Sequence, residues 1–480
     1  MPAITTLLKT ALQQFHAGEW ANAEQLYQQV LQQHPQQPMA LYALGLLAQQ
    51  SGNLAKASHY YQQTLAVDPG NVGAWVNLGA VFHAQGQLSQ AIVHYQKALR
   101  LQPSHTNALV NLGISLQQRG QLAAAIGRYQ KALTLDPNNP IVYQQLGELW
   151  VELGQIPAAL ACLEQGLAIA PQHMTLQGSR IRALLISGDL RAGFAAYDPW
   201  RLGLAPPRSN PLPDWDGTDL SDRRILLYAE AGAGFGDLIQ FSRYAPLVAQ
   251  QARQTILECP ELLYRLFQTI PGVQCVPIGQ PMPEVDCQVS LLSLPQRYGT
   301  ELSTIPTAMP YLLPPVTGGP SLLAGERKIG LVWGGNPNHR HDSVRSCPFP
   351  LMQRLLTVPH WTFYSLQKGP HQAELTHDLP IHDLSSGLQD FADTAQVIQQ
   401  LDLVITVDTS VAHLAGALGK PVWILLARNP DWRWLLDRED SPWYPTARLF
   451  RQALGQGWDV LCDRVMVALQ QWPDGTSNPL

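Results

Sequence analysis

The stretch "WVNLGAVFHAQGQLSQAIVHYQKALRLQP" (Trp75–Pro103) sets the fold of the first half of the chain. Trp75, Leu78, Gly79, Phe82, Ala91, Tyr95, Ala98 and Pro103 form a set that recurs on either side of it. A step of 34 residues forward gives Leu109, Leu112, Gly113, Leu116, Ala125, Tyr129, Ala132 and Pro137. The same step back gives Leu41, Leu44, Gly45, Ala48, Ala57, Tyr61, Thr64 and Pro69. A fixed period of this length is the mark of a solenoid built from repeated helix pairs. Gly and Ala fall where two helices must approach closely, and Pro ends the second helix of each pair. Weaker copies begin near Ile4 and near Pro140. Five full units are expected over 4–173, with a sixth, irregular unit at "LISGDLRAGFAAYDPW" (185–200) acting as the cap that joins the array to the second half of the chain.

The eight matched positions resemble the tetratricopeptide repeat (TPR). The resemblance implies a concave surface for a peptide or protein segment; the alternative is an array that only holds subunits or domains together. Asn77, Asn107 and Asn111 are candidates for the inner face, where an amide can hold a peptide backbone in both directions.

Pro and Gly cluster at "GLAPPRSNPLPDWDG" (203–217), which is linker chemistry. Beyond it, short apolar runs alternate with helical stretches: "RILLYAE" (224–230), "QTILEC" (254–259), "VQCVPI" (273–278) and "CQVSLLSL" (287–294). A second Pro/Gly-rich gap covers 306–325. Then come "KIGLVWGG" (328–335), "WTFYSLQ" (361–367), "DLVITVD" (402–408), "PVWILL" (421–426) and "ARLFRQ" (447–452). Such alternation predicts mainly parallel sheets with helices on both faces. The expected fold class is therefore an α-solenoid over 1–203 followed by two Rossmann-like α/β domains, 204–320 and 321–480, with a cleft between them.

The bulk numbers exclude several function classes. The chain has 480 residues and a net charge of -5, which does not provide the basic face of a nucleic-acid binder. No apolar run approaches the roughly 20 residues of a membrane span. The N-terminal stretch lacks a signal-peptide core. Six scattered cysteines form no C-x-x-C pair, so neither structural zinc nor a disulfide framework is expected, and the expected location is the cytoplasm.

Three loops carry candidate chemistry. In "AEAGAGFGDLIQF" (229–241), Gly232, Gly234 and Gly236 permit tight turning, and Asp237 is either a general base at a cleft mouth or the N-cap of a helix over 238–249. In "VWGGNPNHRHDSVRSCPF" (332–349), Asn336, Asn338, His339, Arg340, His341, Arg345 and Ser346 either suit a phosphate or diphosphate or form a solvated loop. No partner stands at metal-ligand spacing, so no metal is expected. In "DLVITVDTSVAHLAGALGKPVWILL" (402–426), a strand ends at Asp408, and Thr409 and Ser410 open a small-residue helix. That arrangement is either a diphosphate cradle at a helix start or plain capping by Asp408. His413 either faces the phosphate or bonds the core. Five of the 13 tryptophans lie between Trp423 and Trp458, as a stacking platform or as an inter-domain wedge.

Segments "GFGDLIQFSRY" (234–244), "GLVWGGNPNHRHDSVRS" (330–346), "FYSLQKG" (363–369), "DLVITVDTSVAHLAGALGKPVW" (402–423) and "DWRWLLDREDSPWYPTARLFRQ" (431–452) resemble the heptosyltransferase-like glycosyltransferases of the two-domain GT-B fold. The closest likeness is to a bacterial branch that fuses TPRs to such a domain. The resemblance implies a nucleotide-diphosphate sugar as co-substrate, with no further cofactor and no metal. It places Asp408, Thr409, Ser410 and Val411 on the diphosphate, with Arg345 and Ser346 beside it. Gln367 and Lys368 would reach the nucleoside, and Asp237 would be the base acting on the acceptor. The acceptor would be a protein or peptide recruited by the array, or else a glycan or lipid carrier; a scaffold that has lost turnover is the third reading. One departure is visible: "EAGAGFGD" is two residues longer than the usual Glu-x-Gly-x-Gly-Asp turn.

Overall fold

The structure is a computed structural model that describes residues 2–204, 212–230, 232–316, 319–323, 327–339, 342–376 and 378–472. Arg340 and His341 lie outside the described residues, as do parts of both Pro/Gly-rich gaps. The chain divides into two compact units, Met1–Ser179 and Arg180–Leu480.

The first unit is all helix, and the helices run in pairs: α1 (Pro2–His16) with α2 (Trp20–Gln33), α3 (Pro38–Gln50) with α4 (Leu54–Val67), α5 (Val72–Ala84) with α6 (Leu88–Leu101), α7 (Thr106–Gln118) with α8 (Leu122–Leu135), and α9 (Pro140–Glu152) with α10 (Ile156–Ile169). The small residues do what the period demands. A Cβ placed on Gly45, Gly79 or Gly113 would lie 2.5, 2.7 and 2.5 Å from the ring of Tyr61, Tyr95 and Tyr129 respectively. Each tyrosine thus packs flat against the glycine of the preceding helix and is fully buried. A second periodic glycine marks the tight turn inside each pair. Gly18, Gly52, Gly86, Gly120, Gly154 and Gly188 recur every 34 residues with φ between +72° and +90°, the left-handed region where only glycine is unstrained. Helix starts are capped by Asn71 and His105, whose side chains accept from Ala74 N at 2.9 Å and Ala108 N at 3.2 Å. The unit boundary falls inside α11 (Met174–Ile186). The last helix of the expected cap, α12 (Leu190–Leu202), belongs to the second unit.

In the second unit, β1 (Arg224–Tyr228) leads to α13 (Phe235–Phe241) and α14 (Ala245–Ala249). Next come β2 (Gln254–Cys259), α15 (Glu261–Phe267), β3 (Val273–Pro277), β4 (Cys287–Ser290) and α16 (Leu294–Arg297). The four strands form a parallel sheet in the order β3-β2-β1-β4. Then follow β5 (Arg327–Val332), α17 (Asp342–Arg345), α18 (Phe349–Met352), β6 (Trp361–Ser365), β7 (Ile381–Asp383), α19 (Phe391–Gln400), β8 (Leu403–Val407), α20 (Ser410–Ala417), β9 (Val422–Leu426), β10 (Ala447–Arg451) and α21 (Trp458–Gln470). These six strands are also parallel, ordered β10-β9-β8-β5-β6-β7. Strands β8 and β9 are buried at every position, as a sheet covered on both faces requires. Strand β7 is three residues long with two exposed positions, too short and polar to show in the sequence.

Strand order locates the crevices. Each sheet reverses its winding at one strand: β1, flanked by β2 and β4, and β5, flanked by β6 and β8. Ligands of open α/β sheets bind beyond the strand ends at such reversals. The three loops singled out in the sequence follow β1, β5 and β8.

Candidate functional site

The loop after β1 contains Glu230, which forms a buried ion pair with Arg201 of α12; Arg201 also holds Asp198 at 2.5 Å and Ser293 Oγ at 2.7 Å. Gly232 takes a positive φ of 87°. Gly234 is the residue before α13, and the helix begins three residues earlier than expected. Asp237 is therefore not the N-cap but the third helical residue, and its Oδ2 accepts from Gly234 N at 2.9 Å. Its Oδ1 accepts from Arg433. The carboxylate keeps 28% exposure.

Helix α13 lies against α20. A Cβ on Gly236 would stand 2.7 Å from Cδ2 of His413, so glycine is what lets the two helices meet. His413 is buried, and its Nδ1 lies 2.8 Å from the Tyr444 hydroxyl. Its ring stacks on Trp434 at 5.3 Å. Burial, reinforced by Arg433, lowers its pKa to about 3, so the ring is neutral. Of the two readings of His413, the core bond is present in its contact with Tyr444.

Asp408 directly follows β8, and Thr409 is the N-cap of α20 with no side-chain cap bond. The Thr409 hydroxyl instead meets Thr406 Oγ1 at 3.0 Å. Capping of α20 by Asp408 is not among the bonds observed. Ser410 is half-buried, Val411 is buried, and the backbone start of α20 closes the turn. Burial and the neighbouring Asp431 push the Asp408 carboxyl up to about 6, against the pull of Arg345 and Arg433.

In the loop after β5, Arg345 Nε lies 3.4 Å from Asp342 Oδ1. Ser346 donates to Asp342 Oδ1 at 3.0 Å and accepts from Gly335 N at 3.0 Å. Ser346 thus folds the loop rather than facing open space. Gln367 departs further from its expected contact with a nucleoside. Its Oε1 accepts from Trp333 N (3.0 Å) and Gly334 N (2.9 Å), and its Nε2 donates to Gly334 O (3.0 Å) and Lys368 O (2.8 Å). All four valences of the amide are spent on backbone, so it shapes the Gly334 turn. Lys368 is exposed and ties Ser385 O and Leu388 O at 2.8 and 2.9 Å. Beyond it, a cavity of about 590 Å³ is lined by Gly369, Gln372, Thr376, His382 and Asp383 among others.

The central residue of the site was not singled out in the sequence. Arg433, 10% exposed, reaches Asp237 and Gln240 on α13 and Asp431 at 2.8 Å on its own turn. Its guanidinium sits 4.5 Å from the Trp432 ring centre and 5.7 Å from that of Phe241. Burial opposes its charge, but Asp431 and Asp237 outweigh that and hold it protonated. Burial likewise pushes Asp431 up, and Arg433 more than reverses the effect. The tryptophans here form a packed wedge: Trp434 and Trp443 are fully buried. A signal was present in "NPDWRW", where an Asp two residues before an Arg sits among aromatics.

In the solenoid, Asn77 Nδ2 donates to the Tyr42 hydroxyl at 3.0 Å, linking α5 to α3. Asn111 is half-buried and Asn107 is exposed. All six cysteines are free. Among the described residues, no helix is long and apolar enough to cross a membrane.

Comparison with known proteins gives three family matches. Residues 8–57 match the tetratricopeptide repeat, and residues 47–156 match the middle TPR-like domain of cilia and flagella-associated protein 70. Residues 384–452 match glycosyltransferase family 9 (heptosyltransferase), a segment that contains Asp408, Thr409, His413, Asp431 and Arg433. Protein FlbA of Caulobacter vibrioides is 24% identical over 339 residues, which is 62% of this chain and 55% of that protein. The chain thus spans about half the length of this curated relative. Among solved structures, a thermophilic TPR protein of Thermus thermophilus aligns at 24% identity, covering 38% of this chain and 99% of that one, with a TM-score of 0.33. PilF of Pseudomonas aeruginosa aligns at 20% identity over 42% of this chain and 90% of that one, with a TM-score of 0.37. The chain thus carries a segment similar to tetratricopeptide repeats over 8–156 and, over 384–452 in its α/β region, a segment similar to glycosyltransferase family 9.

Proposed function

We propose that the chain transfers a sugar from a nucleotide diphosphate to an acceptor on a protein or peptide that the helical repeats recruit. The observation that carries this reading is the clustering at the two winding reversals. Asp237, on the helix that follows the glycine loop after β1, pairs with Arg433, and the charges of Arg433 and of Arg345 after β5 both act on Asp408 after β8. Asp237 takes the proton of the acceptor hydroxyl. The acceptor oxygen then bonds the anomeric carbon, the bond from that carbon to the diphosphate breaks, and its electron pair leaves on the diphosphate oxygen. The gain of charge on the leaving group is met by Arg345 and by the N–H groups at the start of α20. The reading assigns that task to protein groups and not to a metal ion. The nucleoside extends toward the cavity beside Lys368, two to three strand spacings from β8, about 10–14 Å.

A scaffold that kept the fold without turnover is the competing reading, favoured by the internal pairing of Asp237, Ser346 and Gln367. One experiment separates the two. Melting temperatures are measured with a panel of nucleoside diphosphates and their sugars, on the wild type and Arg345→Ala, and radiolabelled sugar is followed into protein and lipid fractions. Stabilisation by one nucleotide, lost in Arg345→Ala, with label in protein, supports the proposal. Label in lipid redirects the acceptor. No stabilisation by any nucleotide supports the scaffold.

A further inference from the structure

The turn that carries Arg433 is built at a cost. Leu435 and Asp437 both adopt left-handed φ, 53° and 50°, without being glycine. Arg451 on β10 restrains this turn, donating to Arg438 O at 2.8 Å, Leu435 O at 3.0 Å and Trp434 O. One arginine is thus used to fix the backbone that presents another. Arg433 in turn divides its donors among Asp431, Gln240 and Asp237. Asp237 has its second oxygen on Gly234 N, so the two contacts together leave its carboxylate no freedom to rotate.

Holding the two sheets together does not require this contact. Arg243 donates to Trp443 O at 2.9 Å and lies over Tyr311 and Tyr444 at 4.8 and 4.9 Å. Arg265 on α15 pairs with Asp390, the N-cap of α19, and with Asp393 in its first turn, each at 3.0 Å. Both bridges join the same halves without touching Asp237.

We propose that Arg433 is a positioning residue that aims the Asp237 carboxylate at the acceptor hydroxyl. The inference rests on the sugar-transfer reading above and deepens it. It is tested on the full chain with Arg433→Gln, Arg433→Lys, Asp237→Asn and Arg265→Gln, using the nucleotide sugar that the panel identifies. Arg433→Gln is expected to lower kcat by about 100-fold, the cost of a misplaced catalytic group. The donor KM stays within about threefold. Arg433→Lys, which keeps a cation, recovers part of the loss. Arg265→Gln leaves kcat unchanged, and Arg433→Gln combined with Asp237→Asn is no slower than Asp237→Asn alone. Equal losses in the Gln and Lys variants, with KM rising in parallel, would show a merely structural residue and overturn the proposal. If the wild type transfers no sugar, the functional reading falls by itself. A crystal structure of Arg433→Gln then still decides positioning: Asp237 leaving its Gly234-bound rotamer supports it, and Asp237 unmoved overturns it.

Discussion

The helical repeats and the α/β unit bury polar groups in opposite ways. In the repeats each tyrosine meets a glycine one helix back, and the same contact is made three times over. In the α/β unit Arg433, Asp431, Asp237 and Asp408 come together from three segments, and no contact is repeated. The first solution spreads its cost over identical interfaces. The second concentrates ionisable groups at one point, where nothing but their mutual arrangement offsets their burial. A fold that only had to hold together would be expected to use the first solution throughout.

That contrast can be broken by mutation. Asp237→Asn should lower the transfer rate by about 10²–10⁴-fold, the usual worth of a general base, while the helical melting transition stays where it was; single-turnover kinetics and circular dichroism measure the two. Arg345→Ala should weaken nucleoside diphosphate binding by about 10- to 100-fold, read by calorimetry, since a charge-assisted bond is worth about 1.5–3 kcal/mol. Gly79→Ala and Gly236→Ala place their new methyl equally close, 2.7 Å, to Tyr95 and His413. Each should cost about 1–3 kcal/mol in scanning calorimetry. Only Gly236→Ala should also abolish transfer, because His413 is pinned by Tyr444 and Trp434 and cannot yield without moving α13. Equal functional loss in both would refute the contrast.

The smallest effect concerns pH. Burial, and after it Asp431, outweigh Arg345 and Arg433 and raise the Asp408 carboxyl to about 6 in the folded state, above an unfolded aspartate. The folded protein therefore takes up this proton first. The stability it contributes is complete below the unfolded pKa and is lost as pH rises through about 6. Asp408→Asn removes the penalty, so its melting temperature should exceed that of the wild type at pH 7.5 by about 2–4 °C. The gap should narrow by pH 5. A constant gap would show that neither burial nor Asp431 raises this carboxyl in the folded state.

What was legible in the sequence divides in the same way. The 34-residue period fixed the helix pairs, although it overlooked Gly52, Gly86 and Gly120, whose positive φ repeats as regularly as the tyrosines. Most strands stand within two residues of their expected ends, because parallel strands read as continuous apolar runs. The loops were found because strand ends at helix starts are visible locally. Their internal pairing was not. Gln367 reads as an exposed polar residue until its four backbone partners are known, and Arg433 lies 196 residues from Asp237. Ion pairs of that sequence separation leave no periodic or local trace.

The glycine–tyrosine contact has one more consequence, for the history of the chain. Because Gly45 meets Tyr61 as Gly79 meets Tyr95 and Gly113 meets Tyr129, the segment between any two equivalent residues begins and ends on the same interface. A deletion or duplication of 34 residues, in frame with the repeat, joins surfaces that already fit. The length of the array is thereby free to drift by whole turns of the genetic ratchet, while a change of a single residue within a turn is not.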